Sequence, residues 1–191
     1  MELSKRKPNR LQDYDYSTPG AYFITICTKN RKCLFWESVG ASIARPQTPR
    51  LSHYGTIVDE AIRKIPDNYP NTSLDQYVVM PNHVHLLLMI KPNLSNPQEK
   101  TPGISRIIQQ LKGAITKQIG HCIWQKLFHD HIIRNDREYR KIWEYIQSNP
   151  AIWADDCFYE EEPRYELPVG NGAFVKAPDE QCSPLQSYNC R

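Results

Sequence analysis

A chain of 191 residues with a formal net charge of +3 and 40% hydrophobic residues has room for one compact domain with a tail. It holds no apolar run of about twenty residues and no signal-peptide core in its polar N-terminus. No membrane partner and a cytoplasmic location are therefore expected. The charge is uneven: from Ala151 onward eight acids meet three bases, a net of −5, which leaves +8 on residues 1–150. A basic body suits a polyanionic partner, although lysines scattered over a solvated surface give the same balance. An acidic tail could compete with such a partner for that body. The six cysteines (Cys27, Cys33, Cys122, Cys157, Cys182, Cys190) show no CxxC spacing and read as reduced thiols.

The predicted elements follow in chain order. Residues 1–13 are basic and turn-rich and read as a mobile arm, with Lys5, Arg6 and Arg10 as candidate phosphate contacts. Residues 21–28 are β-rich and form a first strand, and residues 40–52, with Pro46 and Pro49, an irregular loop. Ile57, Val58, Ala61, Ile62 and Ile65 mark one face of a helix over 55–65. Strands follow at 74–80 and 83–90, separated only by Pro81-Asn82, and a polar loop at 91–103. Ile104, Ile107, Ile108, Leu111, Ile115 and Ile119 make the stripe of a second helix, with Arg106, Lys112 and Lys117 expected on its exposed faces. A fourth strand at 127–134 ends in Arg134. A last helix carries Tyr139, Ile142, Trp143 and Ile146 at i, i+3, i+4, i+7, and Pro150 marks its stop.

That order, strand-helix-strand-strand-helix-strand and a final helix, predicts an α+β fold. It fits a ferredoxin-like split βαβ arrangement, an antiparallel sheet with helices on one face and a C-terminal helix lowered onto it. The expected domain spans 1–162, and the acidic and polar stretch 163–191, without periodicity, reads as an extended or disordered tail.

Two places carry chemistry. His83 and His85 sit one residue apart in the third strand, so they share a face and stand roughly 7 Å apart along the chain, with Val84, Leu86 and Leu88 opposite. Paired imidazoles on a rigid surface can bind a divalent metal, yet two strand histidines alone are more often structural or surface residues. In the last helix Tyr145 lies on the flank of the apolar stripe, with Asn149 four residues on and therefore beside it. Taken alone, that pair reads as an interfacial tyrosine and a helix cap. His121, His129 and His131 cluster near the fourth strand; they could be ligands but read more readily as packing groups or contacts to a polyanionic partner, and Tyr139 reads as a buried rival to Tyr145. No glycine-rich phosphate loop or G-x-S-x-G elbow is present, which leaves a nucleotide-driven motor or an α/β-hydrolase unsupported.

From about Arg10 to Tyr159 the chain resembles the REP-associated tyrosine transposases, a branch of the single-tyrosine HUH transposases. The resemblance rests on Tyr22-Phe23-Ile24-Thr25 and on the run from Leu74 through Met80-Pro81-Asn82-His83-Val84-His85. It continues in Trp124-Gln125-Lys126, in Asp130-His131-Ile132-Ile133-Arg134 and in Tyr145-Ile146-Gln147-Ser148-Asn149-Pro150. It implies that His83 and His85 are the metal-binding pair, that Asn149 completes the metal site and that Tyr145 is the nucleophile. It further implies cleavage and transfer of single-stranded or hairpin DNA carrying palindromic repeats, through a 5′-phosphotyrosine, by a monomer or a homodimer. A hard, weakly held ion such as Mg²⁺ or Mn²⁺ suits that phosphate chemistry. Lys5, Arg6, Arg10, Arg106, Lys112, Lys117 and Arg134 are the candidate DNA contacts. A domesticated module that binds such repeats without cutting them is the alternative, as is, more weakly, a metallonuclease that uses water.

Overall fold

The computed structural model describes residues 14–37, 50–94 and 102–159. Four strands, β1 (Gly20–Cys27), β2 (Thr72–Val79), β3 (His83–Ile90) and β4 (His129–Ile133), form one sheet in the order β2-β3-β1-β4, with every neighbouring pair antiparallel. Helices α1 (His53–Arg63), α2 (Ile65–Asn68) and α3 (Ile104–Ile119) lie in the two crossovers, and α4 (Asp136–Ser148) follows the last strand. This is the split βαβ topology expected from the element order.

The strands alternate, and the alternation divides the molecule. Tyr22, Ile24 and Ile26 of β1 and Val84, Leu86 and Leu88 of β3 point to one side. There α1 covers them with Ile57, Val58 and Ile62, and α3 with Ile104, Ile107, Ile108, Leu111 and Ile115. Phe23 and Leu87 point to the other side, against Ile142 and Ile146 of α4. The crossover helices thus share one face of the sheet and the final helix takes the opposite one. The first face holds most of the buried apolar surface, and with it most of the hydrophobic stabilisation. The second has a much smaller apolar cluster and room for polar side chains.

Local chemistry sets the element ends. The Ser52 side chain accepts a hydrogen bond from Gly55 N at 3.1 Å and caps α1. Gly120, at φ 88, closes α3 in the left-handed conformation that glycine adopts without cost. Asn135 caps α4 by accepting from Glu138 N, and Glu138 reaches back to Arg134 N and to His131 Nε2, at 2.9 and 2.6 Å. At Pro150 the α-helix does stop, but the chain does not straighten. It continues in a 3-10 helix over Asn149–Asp155, with the proline in its first turn, where a missing N–H costs nothing.

Lys112 departs from its expected exposed position. It is half-buried, its ammonium donates to the carbonyls of Gln125 and Leu127 at 2.9 and 3.1 Å, and it lies over the Phe128 ring. Helical periodicity places a lysine beside the stripe, but its long stem lets the charge reach back to a folded loop.

Gly55 marks the tightest approach, where α1 meets the segment after β1. A Cβ there would stand 2.1 Å from the Phe35 carbonyl oxygen, which is backbone and cannot swing aside. Gly55→Ala is therefore expected to destabilise the fold by about 2–3 kcal/mol, the usual size of an overpacking penalty. Thermal unfolding monitored by circular dichroism would show it as a melting temperature lowered by several degrees.

Candidate active site

The site is built on the face of the sheet that α4 covers. Antiparallel register sets Cys27 opposite His83 and Thr25 opposite both His85 and His129, so these side chains share one surface. His83 and His85 are fully buried, with ring centroids 4.5 Å apart and their Nε2 atoms 3.1 Å apart. Both outer nitrogens are engaged: His85 Nδ1 lies 2.9 Å from Thr25 Oγ1, and His83 Nδ1 lies 2.8 Å from Asn82 Oδ1.

The final helix brings Tyr145 to the same point. Its hydroxyl stands 3.4 Å from His85 Nε2 and 3.3 Å from Asp156 Oδ2, and its ring meets Phe23 edge-on. Asn149, one turn further on, is fully buried. Its amide stands beside the Tyr145 hydroxyl and the Asp156 carboxylate, yet neither Oδ1 nor Nδ2 makes a hydrogen bond of ordinary geometry. The 3-10 segment then turns back over the histidines. The Phe158 ring lies 4.7 Å from that of His83, tilted by 44°, Trp153 lies 5.9 Å from it, and Asp156 Oδ1 accepts from Phe158 N at 2.7 Å.

His83, His85, Tyr145 and Asn149 therefore meet at one point. The candidate DNA contacts do not join them. Arg106 and Lys117 are exposed on α3, on the far side of the sheet, Arg134 is exposed at the end of β4, and Lys5, Arg6 and Arg10 lie outside the described residues. Tyr139 is half-buried, donates to Asp75 Oδ2 at 2.9 Å and stands apart from the histidine pair. His131 is paired with Glu138. Sequence reasoning missed four members of the site: Thr25, Asn82, Asp156 and Phe158. Strand alternation and the register with β3 could have found Thr25. Nothing local marks Asp156 or Phe158, which arrive through a turn beyond α4.

An uncharacterised protein of Haemophilus influenzae is 34% identical over 176 residues, covering 82% of this chain and 94% of that one. The REP-associated tyrosine transposase of Escherichia coli is 27% identical over 164 residues, covering 81% of this chain and 86% of that one. A solved structure of a REP-associated tyrosine transposase bound to a REP hairpin superposes with a TM-score of 0.53 at 23% identity, over 74% of this chain and 73% of that one, and shares the fold. This chain is a relative of the REP-associated tyrosine transposases. No protein-family model matches it. No helix among the described residues is long and apolar enough to cross a membrane.

The donor set of this transposase relative suits a divalent cation. Two ligands at right angles, each about 2.1 Å from one ion, stand about 3 Å apart, and the two Nε2 atoms have that separation. Each ring is oriented through its other nitrogen, as metal-binding histidines are. The Asp156 carboxylate completes a group whose ligand atoms all lie within 4.8 Å of one another, and the unsatisfied Asn149 Oδ1 offers a further oxygen. Burial keeps both imidazoles neutral. It pushes His85 down to about 3, and it holds His83 well below the usual histidine range, helped by His85 and the Arg31 guanidinium. Tyr145 is driven the other way: burial, then the Asp156 carboxylate and Cys157, raise its pKa, and only the Asn149 amide opposes them.

The lowered histidine pKa values have a consequence for stability. Between the unfolded value of about 6.5 and the folded value near 3, the unfolded chain binds more protons, so stability is full above about pH 6.5 and is lost as pH falls toward 3. For metal-stripped protein taken from pH 7 to pH 4, His85 alone is expected to contribute a loss on the order of a few kcal/mol. Urea midpoints measured across that range should fall steeply for the wild type and less steeply for His85→Phe, in which nothing titrates at that position.

Proposed function

We propose that this chain cuts and rejoins DNA strands by transesterification, with Tyr145 as the nucleophile and His83, His85 and Asn149 as ligands of a divalent cation, Mg²⁺ or Mn²⁺. The observation that carries the reading is the meeting of a buried tyrosine hydroxyl with two neutral imidazoles whose Nε2 atoms face one another, on a fold shared with a protein solved with a REP hairpin. A hydrolase that activates water needs no buried tyrosine at 3.4 Å from a ligand nitrogen. A pure binding module needs neither the tyrosine nor the unsatisfied amide.

The chain's own residues supply most of the chemistry. The Tyr145 O–H points at Asp156 Oδ2, which is within reach to accept the proton as the phenolic oxygen attacks phosphorus. The bond from phosphorus to the 3′ oxygen then breaks, that oxygen takes up the proton held on Asp156, and a free hydroxyl is left on one DNA end and a 5′-phosphotyrosine on the protein. The phosphoester bond is exchanged rather than hydrolysed, so the reverse attack by a 3′ hydroxyl rejoins a strand without a nucleotide cofactor. A bound divalent cation would neutralise the phosphate charge, polarise the phosphorus–oxygen bond and favour the ionised tyrosine. The substrate we infer is single-stranded or hairpin DNA carrying palindromic repeats, in keeping with the REP hairpin to which the solved relative is bound.

The test is a labelled single-stranded oligonucleotide with palindromic repeats from the source genome, incubated with the protein and Mg²⁺ or Mn²⁺ and run on a denaturing gel. We expect a protein–DNA adduct that survives denaturation, and its loss by at least about a thousandfold in Tyr145→Phe, the scale on which removing a covalent nucleophile acts. Cleavage without adduct would transfer the chemistry to water. Binding without cleavage under either metal would leave a repeat-binding module.

A further inference from the structure

The two histidines are held by different partners, and those partners are not interchangeable. Asn82 donates both hydrogens of its Nδ2 to backbone carbonyls, that of Arg31 at 3.1 Å and that of Phe158 at 2.8 Å. Turning the amide over would set Oδ1 against two carbonyl oxygens, so its orientation is fixed. Oδ1 is then the atom 2.8 Å from His83 Nδ1, and an amide oxygen can only accept. His83 therefore carries its proton on Nδ1 and leaves Nε2 bare. That bare nitrogen lies 3.1 Å from His85 Nε2, with both rings fully buried and too close together for any atom to stand between them. Two lone pairs would repel there, so in the metal-free protein His85 carries its proton on Nε2. Its Nδ1 is then bare and accepts from the Thr25 hydroxyl at 2.9 Å. The result is one directional chain from Thr25 through His85, His83 and Asn82 to two carbonyls.

We propose that Asn82 and Thr25 are positioning residues that make the two ligands unequal: His83 is permanently set to bind a cation, whereas His85 must move its proton from Nε2 to Nδ1, with the Thr25 hydroxyl turning from donor to acceptor, before the pair can close on one ion. This rests on the metal-site reading above. The step conserves protons and charge, because one neutral tautomer replaces another, and the heavy atoms already stand at the separation two ligands of one ion require. What changes is one proton and one hydroxyl rotor. Asn82 also ties His83 to the Arg31 turn, where Asn30 and Arg31 hold the left-handed φ values 56 and 50, and to the segment that bears Asp156. Non-glycine residues in that region carry strain that persists where the surroundings over-determine it, and the Asn82 amide is one such clamp.

The test is a long-range ¹H–¹⁵N correlation spectrum of the full ¹⁵N-labelled chain near pH 7.5, first stripped of metal and then titrated with Zn²⁺ as a diamagnetic probe. Without metal we expect the Nδ1–H pattern for His83 and the Nε2–H pattern for His85. With Zn²⁺, His85 should switch to Nδ1–H while His83 keeps its pattern. Thr25→Val should lower Mn²⁺ affinity, measured by electron paramagnetic resonance, by about 10–100-fold, the usual effect of removing a group that orients a metal ligand. Thr25→Ser, which keeps the hydroxyl, should restore it. Asn82→Leu, which removes the accepting oxygen, should scramble the His83 pattern. An Nε2–H pattern for His83, or an Nδ1–H pattern for His85 before metal is added, would overturn the proposal and leave the metal site itself untouched. Expected metal-free patterns with no Zn²⁺ response at either ring would instead overturn the metal reading, and the switch with it.

Discussion

Two imidazoles buried side by side on one face of the sheet impose the constraint on which the rest of the site depends. A ring nitrogen removed from water must find a partner or lose a hydrogen bond's worth of free energy, on the order of 1–3 kcal/mol for each unsatisfied atom. With two rings and four nitrogens, the local sequence must supply matching groups. β1 answers with Thr25 in register with His85, and the turn into β3 answers with Asn82 beside His83. Once those partners hold the outer nitrogens, the inner two are left facing one another and the approaching helix. The geometry that could hold a cation thus follows from satisfying buried nitrogens.

The second consequence concerns the chain after β4. Tyr145, Asn149, Asp156 and Phe158 lie within fourteen consecutive residues, and three different devices bring them together. Helical spacing places Asn149 beside Tyr145. The 3-10 continuation and the break in it at Ile152, with φ −111 and ψ 22, redirect the chain toward the histidines. The Asp156 side chain, by accepting from Phe158 N, then fixes the turn that lays Phe158 over His83. The helix that carries Tyr145 is held to the sheet by a small apolar cluster, Ile142 and Ile146 against Phe23 and Leu87. Local opening needs less free energy where fewer apolar contacts hold an element down, so the face under α4 is held down less firmly than the one under α1 and α3.

Much of this was legible in the residues. β3 and α3 run between the bounds expected for them, 83–90 and 104–119, because an uninterrupted apolar pattern meets clear punctuation in Pro81-Asn82 at one and Gly120 at the other. The sharing of one face by His83 and His85 follows from strand alternation alone. The convergence of Tyr145 and Asn149 on them came from the family resemblance, since periodicity put Tyr145 only on the flank of its helix. What stayed hidden depends on distance through space rather than along the chain. Lys112 looked solvent-facing because nothing in its helix announces the Gln125 and Leu127 carbonyls that it serves. Asp156 looked like one more acid in a negative tail, and Asn82 like a linker. The β2 ladder slips between Leu74 and Gln76, an irregularity that no alternating pattern predicts.

Asn82 shows why such residues escape a reading based on patterns. Its chemistry is spent on the backbone, two carbonyls from segments 51 and 76 residues away, and on the outer nitrogen of its neighbour. None of those partners has a sequence signature, because every residue has a carbonyl. An amide is nevertheless the side chain that fits. It carries two donors and an acceptor on one planar group, so it can bind two chain segments and still dictate which nitrogen of a histidine is bare. A serine supplies too few hydrogens for both carbonyls, and an aspartate none in its ionised form. The identity of the residue between Pro81 and His83 is thus set by the number of hydrogens the site must place, and the same count determines which nitrogen of His83 is bare.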